Sequence, residues 1–307
     1  MAGDQVDVKN AQVELVADER MKLGEGPLWH PIEKKVYWTN ILAGELWRYD
    51  PATSKHEKFY QGRPVGGFTL QEDGSLLLFL DKGGIATWRD GKLTTHIDSL
   101  PGEENARFND VQTDPAGRVF CGILRDQGGV SPLYRLDTDG TIRAVEQGIG
   151  CCNGIGWSVD QKTMYFTDSA ERTIYLYGYT RATGEISNRS VLIKTTLQEG
   201  VPDGLAMDAA GNIWSARWGG SGVFCHPPCA PDGKVIGQID LPVKNVTSCC
   251  FGGDDLSDLY ITTAGGDDPK SNGEKSGALF RARNVTKGMP KWNSRVDAGT
   301  ISTTALV

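Results

Sequence analysis

Four short motifs, spread widely along the chain, each place one oxygen-bearing side chain beside a glycine or at the start of an apolar run. The four residues are Glu25 in "GEG", Asn109 in "RFND", Asn153 in "CNG" and Asp203 in "PDG". Two carboxylates and two amides, without His or Cys, form a hard-oxygen set that suits Ca²⁺, Mg²⁺ or Mn²⁺. Taken singly, each is also explained as a turn residue, because Asn and Asp beside Gly readily form Asx turns. A shared metal site therefore requires a fold that brings them together.

A repeated pattern predicts such a fold. Six segments of roughly 40–50 residues each contain a short apolar strand, a polar turn, a second apolar strand, a loop and a third strand. The hairpins "QEDGSLL", "DPAGRVF" and "DAAGNIW" are near-copies, with Gly where the turn needs positive φ. This pattern is typical of an all-β fold, a six-bladed β-propeller with a central metal-binding channel, spanning 1–307 as one domain. We expect the strand at 12–19 to close the ring beside 278–284.

The blades of a propeller superpose on one another, so the innermost strands all begin at the same distance from the central axis and at the same end of the channel. Read this way, the predicted metal ligands Glu25, Asn109, Asn153 and Asp203 come from blades 1, 3, 4 and 5. Blade 2 contributes Gly67 or Phe68 at this position, and blade 6 contributes Ser248. Ca²⁺ prefers about six to eight oxygens, so four protein ligands leave positions open for water or substrate.

A second set of polar residues stands where the second strand of a blade ends, near the same rim; its members are Asn40, Asp81, Asp168 and Arg217. We expect Asp168 to orient the ligands from a second shell, although polar caps on strand ends explain the set equally well. Arg107 should point to the same side as Asn109, because side chains alternate along a strand. Its guanidinium could bind a hydroxyl- or carboxylate-bearing substrate, and the alternative is a surface arginine paired with Glu103 or Glu104.

Composition narrows the class of protein further. The net charge is −7 without a basic cluster, which argues against nucleic acid as a partner. No apolar run approaches the roughly 20 residues of a membrane span, and no secretory signal is visible, so we expect a cytoplasmic protein without a membrane partner. Seven cysteines, an odd number, indicate reduced thiols. The sequence has no nucleophile elbow and no dinucleotide-binding motif, and we expect a monomer or a weak homo-oligomer.

Long stretches of the chain carry a family resemblance; they include "GEGPLWHP", "RFNDVQTDPAGRVFCG", "NGIGWSVDQKTMYFTDS", "VPDGLAMDAAGNIW" and "LPVKNVTSCCFGG". With these motifs the sequence resembles the SMP-30/gluconolactonase/regucalcin family. The resemblance implies one divalent cation in the channel, Ca²⁺ in the first place, with Mg²⁺, Mn²⁺, Zn²⁺ or Fe²⁺ as alternatives. It also implies Glu25, Asn153 and Asp203 as ligands, Asn109 as a further ligand or substrate contact, and Arg107 as a substrate-binding residue.

The activity implied by the resemblance is hydrolysis of a sugar lactone to the aldonic acid. We expect Asp203 to act as general base toward water, while Arg107 and Asn109 hold the small-molecule substrate. The chain departs from sugar-lactonase relatives at "GILRDQ", where Ile123 and Leu124 replace Thr-Met.

Asp126 or Gln127 then stands where an acidic substrate contact is expected, so both are predicted substrate-binding residues. The departure leaves non-sugar lactones or phosphotriesters open as substrates. A Ca²⁺-binding regulator without turnover is a further alternative. A scaffold propeller would not need acids and amides around the axis.

Overall fold

The computed structural model describes residues 6, 8, 11–125, 127–229 and 233–302, and its regular structure is almost entirely antiparallel β-sheet. In this part of the chain, twenty-four strands form six sheets of four strands each. Within the described residues, the one helical element is a single turn of 3-10 helix at Ile41–Ala43. The predicted all-β, six-bladed architecture is confirmed.

The strands follow one another in chain order and have the bounds β1 Gln12–Ala17, β2 Gly24–His30, β3 Lys35–Asn40, β4 Glu45–Asp50, β5 Lys55–Gln61, β6 Val65–Leu70, β7 Leu76–Leu80, β8 Ile85–Arg89, β9 Lys92–Ile97, β10 Arg107–Thr113, β11 Val119–Leu124, β12 Ser131–Leu136, β13 Ile142–Ile149, β14 Cys152–Trp157, β15 Thr163–Asp168, β16 Thr173–Thr180, β17 Glu185–Lys194, β18 Val201–Met207, β19 Ile213–Trp218, β20 Gly222–His226, β21 Gly237–Asp240, β22 Val246–Gly252, β23 Asp258–Thr263 and β24 Leu279–Arg283.

Blades 1 to 5 are simple meanders, from β2-β3-β4-β5 in blade 1 to β18-β19-β20-β21 in blade 5. The sixth blade has the order β1-β24-β23-β22, so its outer strand comes from the beginning of the chain. β1 runs antiparallel to β24, with Gln12 opposite Arg283 and Leu15 opposite Phe280. The predicted closure of the ring by the early strand is therefore confirmed.

Each blade has four strands, whereas the sequence pattern predicted three. The missed strands lie on the outside of the propeller, and β5 and β9 are examples in which most side chains are exposed or half-buried. An outer strand contacts the rest of its sheet along one edge and water along the other, so it does not need a run of apolar residues. By contrast, every position of the innermost strands β6 and β14 is buried.

All six innermost strands have a break in register near their start, and these lie between Glu25/Leu28, Val65/Gly67, Phe108/Val111, Asn153/Ile155, Pro202/Leu205 and Val246/Ser248. Such β-bulges bend a strand and redirect its side chains. Because the bulges recur at the same place in every blade, they turn the motif residues of blades 1, 3, 4 and 5 toward the common axis.

Glycine at these bulges allows neighbouring inner strands to touch. A Cβ on Gly154 would lie 2.7 Å from the Asp203 carbonyl oxygen, and a Cβ on Gly204 would lie 2.1 Å from Ser248 Oγ. Neither position has room for a side chain, so the narrow axis depends on glycine there. Gly24 in blade 1 also has no room for a side chain, because an added Cβ would lie 2.8 Å from the carbonyl oxygen of Thr263.

The segment 284–302 follows β24 and crosses the face on which the innermost strands end. Its backbone N–H groups donate to the carbonyls of three other blades: Met289 to Met207, Ser294 to Leu70, and Arg295 to Gly117. This C-terminal crossing segment therefore covers one end of the channel. The motif residues lie at the opposite end, where the innermost strands begin.

Candidate metal and substrate site

The four predicted ligands are all buried, with exposed fractions of 4% for Glu25, 6% for Asn109, 5% for Asn153 and 6% for Asp203. Asn109 and Asn153 touch across blades 3 and 4, since Asn109 Nδ2 donates to Asn153 Oδ1 at 2.6 Å. Arg107 Nη1 in turn donates to Asn109 Oδ1 at 2.5 Å. Arg107 is buried and lies on the same side as Asn109, so it is not a surface arginine.

Burial and neighbouring negative charges disfavour ionisation of both carboxylates. Burial is the main cause that raises the pKa of Glu25 well above its ordinary value, and the negative charges of Asp203 and Asp110 raise it further. Burial likewise raises the pKa of Asp203, followed by the charge of Asp110, while the Gly204 N–H and Arg107 oppose the shift. Both groups are therefore costly to ionise unless a positive charge lies between them.

The donor set fits a hard divalent cation. Asp203 Oδ1 is buried and has no hydrogen-bond partner, which leaves one carboxylate oxygen available for a ligand. Glu25 Oε2 accepts the N–H of Gly26 at 3.0 Å. The amide oxygens are already engaged, that of Asn109 by Arg107 and that of Asn153 by Asn109. Each amide oxygen has a second lone pair, so it can bind a cation while keeping this hydrogen bond.

Sequence reasoning missed Asp110. This carboxylate is half-buried and lines the channel together with Gly67 and Ser248. Burial raises its pKa to about 6, against the opposing charges of Lys291 and Arg107. Strand alternation places Asp110 opposite Asn109, but the bulge between Phe108 and Val111 changes the direction of the side chains. The available signal was the pair of consecutive polar residues, Asn109 and Asp110, near the start of the innermost strand β10.

Ser169 also went unnoticed, although it touches a predicted ligand directly. Its Oγ accepts from Asn153 Nδ2 at 2.8 Å and donates to the carbonyl of Pro202, linking blade 4 to blade 5. Asp168, which is predicted to orient the ligands, contacts the backbone just before β14. Its carboxylate accepts the backbone N–H groups of Gly150 and Cys151, both at 3.0 Å, and so holds the turn that leads into β14.

The "GILRDQ" stretch is placed differently from the other candidates. Ile123 is fully buried opposite Phe108 in the core, so its replacement of a polar residue does not make the channel more apolar. Gln127 is exposed in the turn after β11. Asp126 lies outside the described residues. The roles of Asp126 and Gln127 in substrate binding therefore stay predictions, because no contact between these residues and the four ligands is described.

The remaining rim residues form local contacts. Asn40 Nδ2 donates to Glu45, and Asp81 accepts from Arg63 at 2.7 Å, as expected for caps on strand ends. Arg217 is fully buried inside blade 5, where its Nη2 donates to His226 Nε2 at 2.7 Å.

His226 stays neutral in this environment. Its Nδ1–H donates to the backbone carbonyls of Gly233 and Lys234. Burial, followed by the charge of Arg217, lowers the pKa of His226 to about 4. The pair Arg217–His226 is therefore part of the interior of blade 5 and not of the channel.

A cavity of about 430 Å³ lies on the opposite face of the propeller, between blades 1 and 6 and the crossing segment. Trp29, Phe251 and Trp292 line it, and none of the predicted site residues does. All seven cysteines are unbridged, as expected for reduced thiols. Among the described residues, no helix is long and apolar enough to span a membrane.

Comparison with known proteins agrees with this architecture. The family model of the SMP-30/gluconolactonase/LRE-like region matches residues 23–265. Pentonolactonase XacC of Haloferax volcanii is 44% identical over 293 residues, which cover 92% of this chain and 98% of that protein. Regucalcin of Xenopus laevis is 33% identical over 288 residues, which cover 89% of this chain and 95% of the relative.

A solved structure shows the same similarity in three dimensions. The crystal structure of regucalcin from Agrobacterium tumefaciens, described as a calcium-binding protein, superposes with a TM-score of 0.86 at 26% identity. The match covers 93% of this chain and 98% of that structure. With a family model matching most of its length and several relatives above 30% identity, the chain belongs to the SMP-30/gluconolactonase/LRE-like family.

Proposed function

We propose that this chain hydrolyses a sugar lactone to the corresponding aldonic acid, with a divalent cation held at the end of the channel where the innermost strands begin. The observation that carries the proposal is the convergence of Glu25, Asn109, Asn153 and Asp203 from four blades, with Asp203 Oδ1 buried and unpaired. The name pentonolactonase, given to a relative at 44% identity, supports a lactone substrate. Ca²⁺ is the preferred cation, since calcium binding is stated for the regucalcin of similar structure.

The reaction adds water across the ring ester. A cation bound by Glu25, Asn153 and Asp203 would polarise the lactone carbonyl and stabilise the negative charge that develops on its oxygen. In our proposal Asp203 takes a proton from water as the water oxygen bonds to the carbonyl carbon. The ring C–O bond then breaks, and the proton is delivered to the departing ring oxygen, which gives a hydroxy acid.

Three features of the chain suit these steps. The buried carboxylate of Asp203 has one unpaired oxygen, Oδ1, that can accept a proton from water. Arg107, held by Asn109, presents a planar set of donors that can orient substrate hydroxyls. The crossing segment covers the opposite end of the channel, so substrate reaches the site from the end where the innermost strands begin.

The position of Ile123 supports a sugar lactone over a non-sugar lactone. Ile123 is fully buried in the core, so this half of the Ile123-Leu124 departure does not make the channel less polar. The polar residues at the channel, Arg107 and Asn109, instead favour a hydroxyl-rich substrate.

The test is acid release from a panel of pentono- and hexonolactones by the purified protein, with and without a chelator. We expect turnover that is lost on chelation and restored by Ca²⁺ or another divalent cation. Asp203→Asn and Glu25→Gln should fold but lose turnover by about 100-fold or more, the usual scale for general acid–base catalysis. Glu171→Gln, at an exposed residue in the turn after β15, is the matched control and should keep wild-type activity.

Two outcomes would overturn the proposal. Full activity after metal stripping would exclude a cation from the mechanism, and an unimpaired Asp203→Asn variant would exclude the proposed base. Tight Ca²⁺ binding without turnover on any lactone would favour a calcium-binding regulator, the role suggested by the name regucalcin among its relatives.

A further inference from the structure

One lysine reaches the channel from the face opposite the candidate site. Lys291 belongs to the C-terminal crossing segment, between Met289, which is bonded to blade 5, and Ser294, which is bonded to blade 2. Its Nζ donates to the carbonyl oxygen of Pro27 at 3.2 Å, two residues beyond Glu25 on β2. The crossing segment is therefore more than a cover, since it inserts a positive charge into the axis.

The surroundings of Lys291 explain why a charge there matters. Lys291 and Asp110 line the same small cavity on the axis, together with Ser248 and Gly67. Gly26 of the same cavity directly follows Glu25, and Asp110 directly follows Asn109, so Lys291 lies on the axis beside residues that adjoin two predicted ligands. In this partly buried channel, a fixed charge acts more strongly on a bound ion than it would in water.

We propose that Lys291 is a built-in counter-cation of the channel, which partly balances its carboxylates and thereby sets how tightly the chain binds a divalent cation. This inference rests on the proposed function, because it assumes that the cation binds at Glu25 and Asp203. The ammonium group of Lys291 repels a divalent cation bound at Glu25 and Asp203 in the same channel, so Lys291 weakens cation binding. It also stabilises the carboxylate cluster when the cation is absent.

Calorimetric titration of the chelator-treated protein with Ca²⁺ at pH 8 tests the proposal. We expect Lys291→Met to bind Ca²⁺ roughly tenfold more tightly than wild type, as the loss of one nearby charge in a partly buried site predicts. Lys291→Arg keeps the charge and should bind within about twofold of wild type. Lys34→Met is the matched control, because Lys34 pairs with Asp254 at 2.8 Å on the exposed surface.

Thermal unfolding gives an independent readout. Without Ca²⁺, Lys291→Met should unfold at a lower temperature than wild type, and saturating Ca²⁺ should raise its Tm by more than it raises that of wild type. If Lys291→Met is poorly folded, Lys291→Gln carries the same prediction with a polar side chain.

The outcomes separate this inference from the proposed function. Wild-type or weaker Ca²⁺ affinity in the Met and Gln variants overturns the role of Lys291 while leaving lactone hydrolysis intact. An Arg variant that binds as tightly as the Met variant also overturns it, since side-chain shape would then be the cause. A wild-type protein that binds no divalent cation overturns both this inference and the metal-dependent mechanism.

Discussion

Gly204→Ala should damage the site without changing any residue that binds cation or substrate. Gly204 follows Asp203 at the bulge of blade 5, where its backbone packs against Ser248 of blade 6. An added Cβ would lie 2.1 Å from Ser248 Oγ, 2.5 Å from its Cβ and 2.8 Å from its Cα. An ordinary contact between carbons is about 3.4–4 Å, so the two innermost strands must separate by about 1 Å.

The size of the effect follows from that displacement. Overpacking of this kind destabilises a protein by about 1–3 kcal/mol. Because Asp203 is the neighbouring residue, it moves with the strand, and a 1 Å misplacement of a catalytic group can lower the rate by about 100-fold. We therefore expect a folded but less stable variant with strongly reduced turnover and weakened Ca²⁺ binding.

Urea unfolding, lactone hydrolysis and Ca²⁺ titration of the same preparation measure these three quantities. Gly178→Ala on β16 is the matched control, since the nearest atom to its added Cβ would be the side-chain oxygen Ser187 Oγ at 3.2 Å, and the next atoms would lie at ordinary contact distances of 3.7 and 3.9 Å. The double variant Gly204→Ala/Ser248→Gly removes two of the three close atoms and should recover part of the activity. Wild-type turnover and affinity in Gly204→Ala would refute the claim that close strand contact positions Asp203.

Two further predictions concern contacts beside the site and within blade 5. Ser169→Ala removes the hydroxyl that accepts from Asn153 Nδ2 and should weaken Ca²⁺ binding by about tenfold. Ser187→Ala, on an outer strand, is the control and should leave the affinity unchanged. A Ser169→Ala variant that binds Ca²⁺ as tightly as wild type would argue against a positioning role for Ser169. His226 has a folded pKa of about 4 and an ordinary value of 6.5, so the unfolded chain takes up a proton first as the pH falls, and this residue alone should cost about 2 kcal/mol of stability between pH 7 and pH 5. Urea unfolding at both pH values should show that wild type loses stability relative to His226→Gln, and an unchanged difference between the two would contradict the lowered pKa.

Much of the fold was readable from the sequence because the propeller repeats itself. Near-identical hairpins such as "DPAGRVF" and "DAAGNIW" mark equivalent places, and the strand at Gln12–Ala17 pairs with Leu279–Arg283 as predicted. The outer strands were missed because strands such as Lys55–Gln61 lie half in water and carry no apolar run. Repetition therefore reveals the parts of each blade that must be buried.

The site was only partly predictable, for a different reason. Glu25 and Asp203 were found because equivalent positions in different blades could be compared. Asp110 was missed because its orientation depends on a bulge, which ordinary strand alternation does not predict. Lys291 lies in a segment that has no counterpart in the other blades, so no comparison within the chain could indicate its place on the axis.

The pairing of β1 with β24 has a consequence for biosynthesis. Every blade except the sixth is built from consecutive strands, and each can form as soon as its own residues have left the ribosome. β1, which precedes them all, must wait until Leu279–Arg283 has been translated, which takes on the order of tens of seconds at the usual rate of elongation. During that interval the half-exposed strand Gln12–Ala17 has no partner, because β24 has not yet been made. An unpaired strand edge can bind chaperones or other chains, so the nascent chain is open to aggregation for a predictable time.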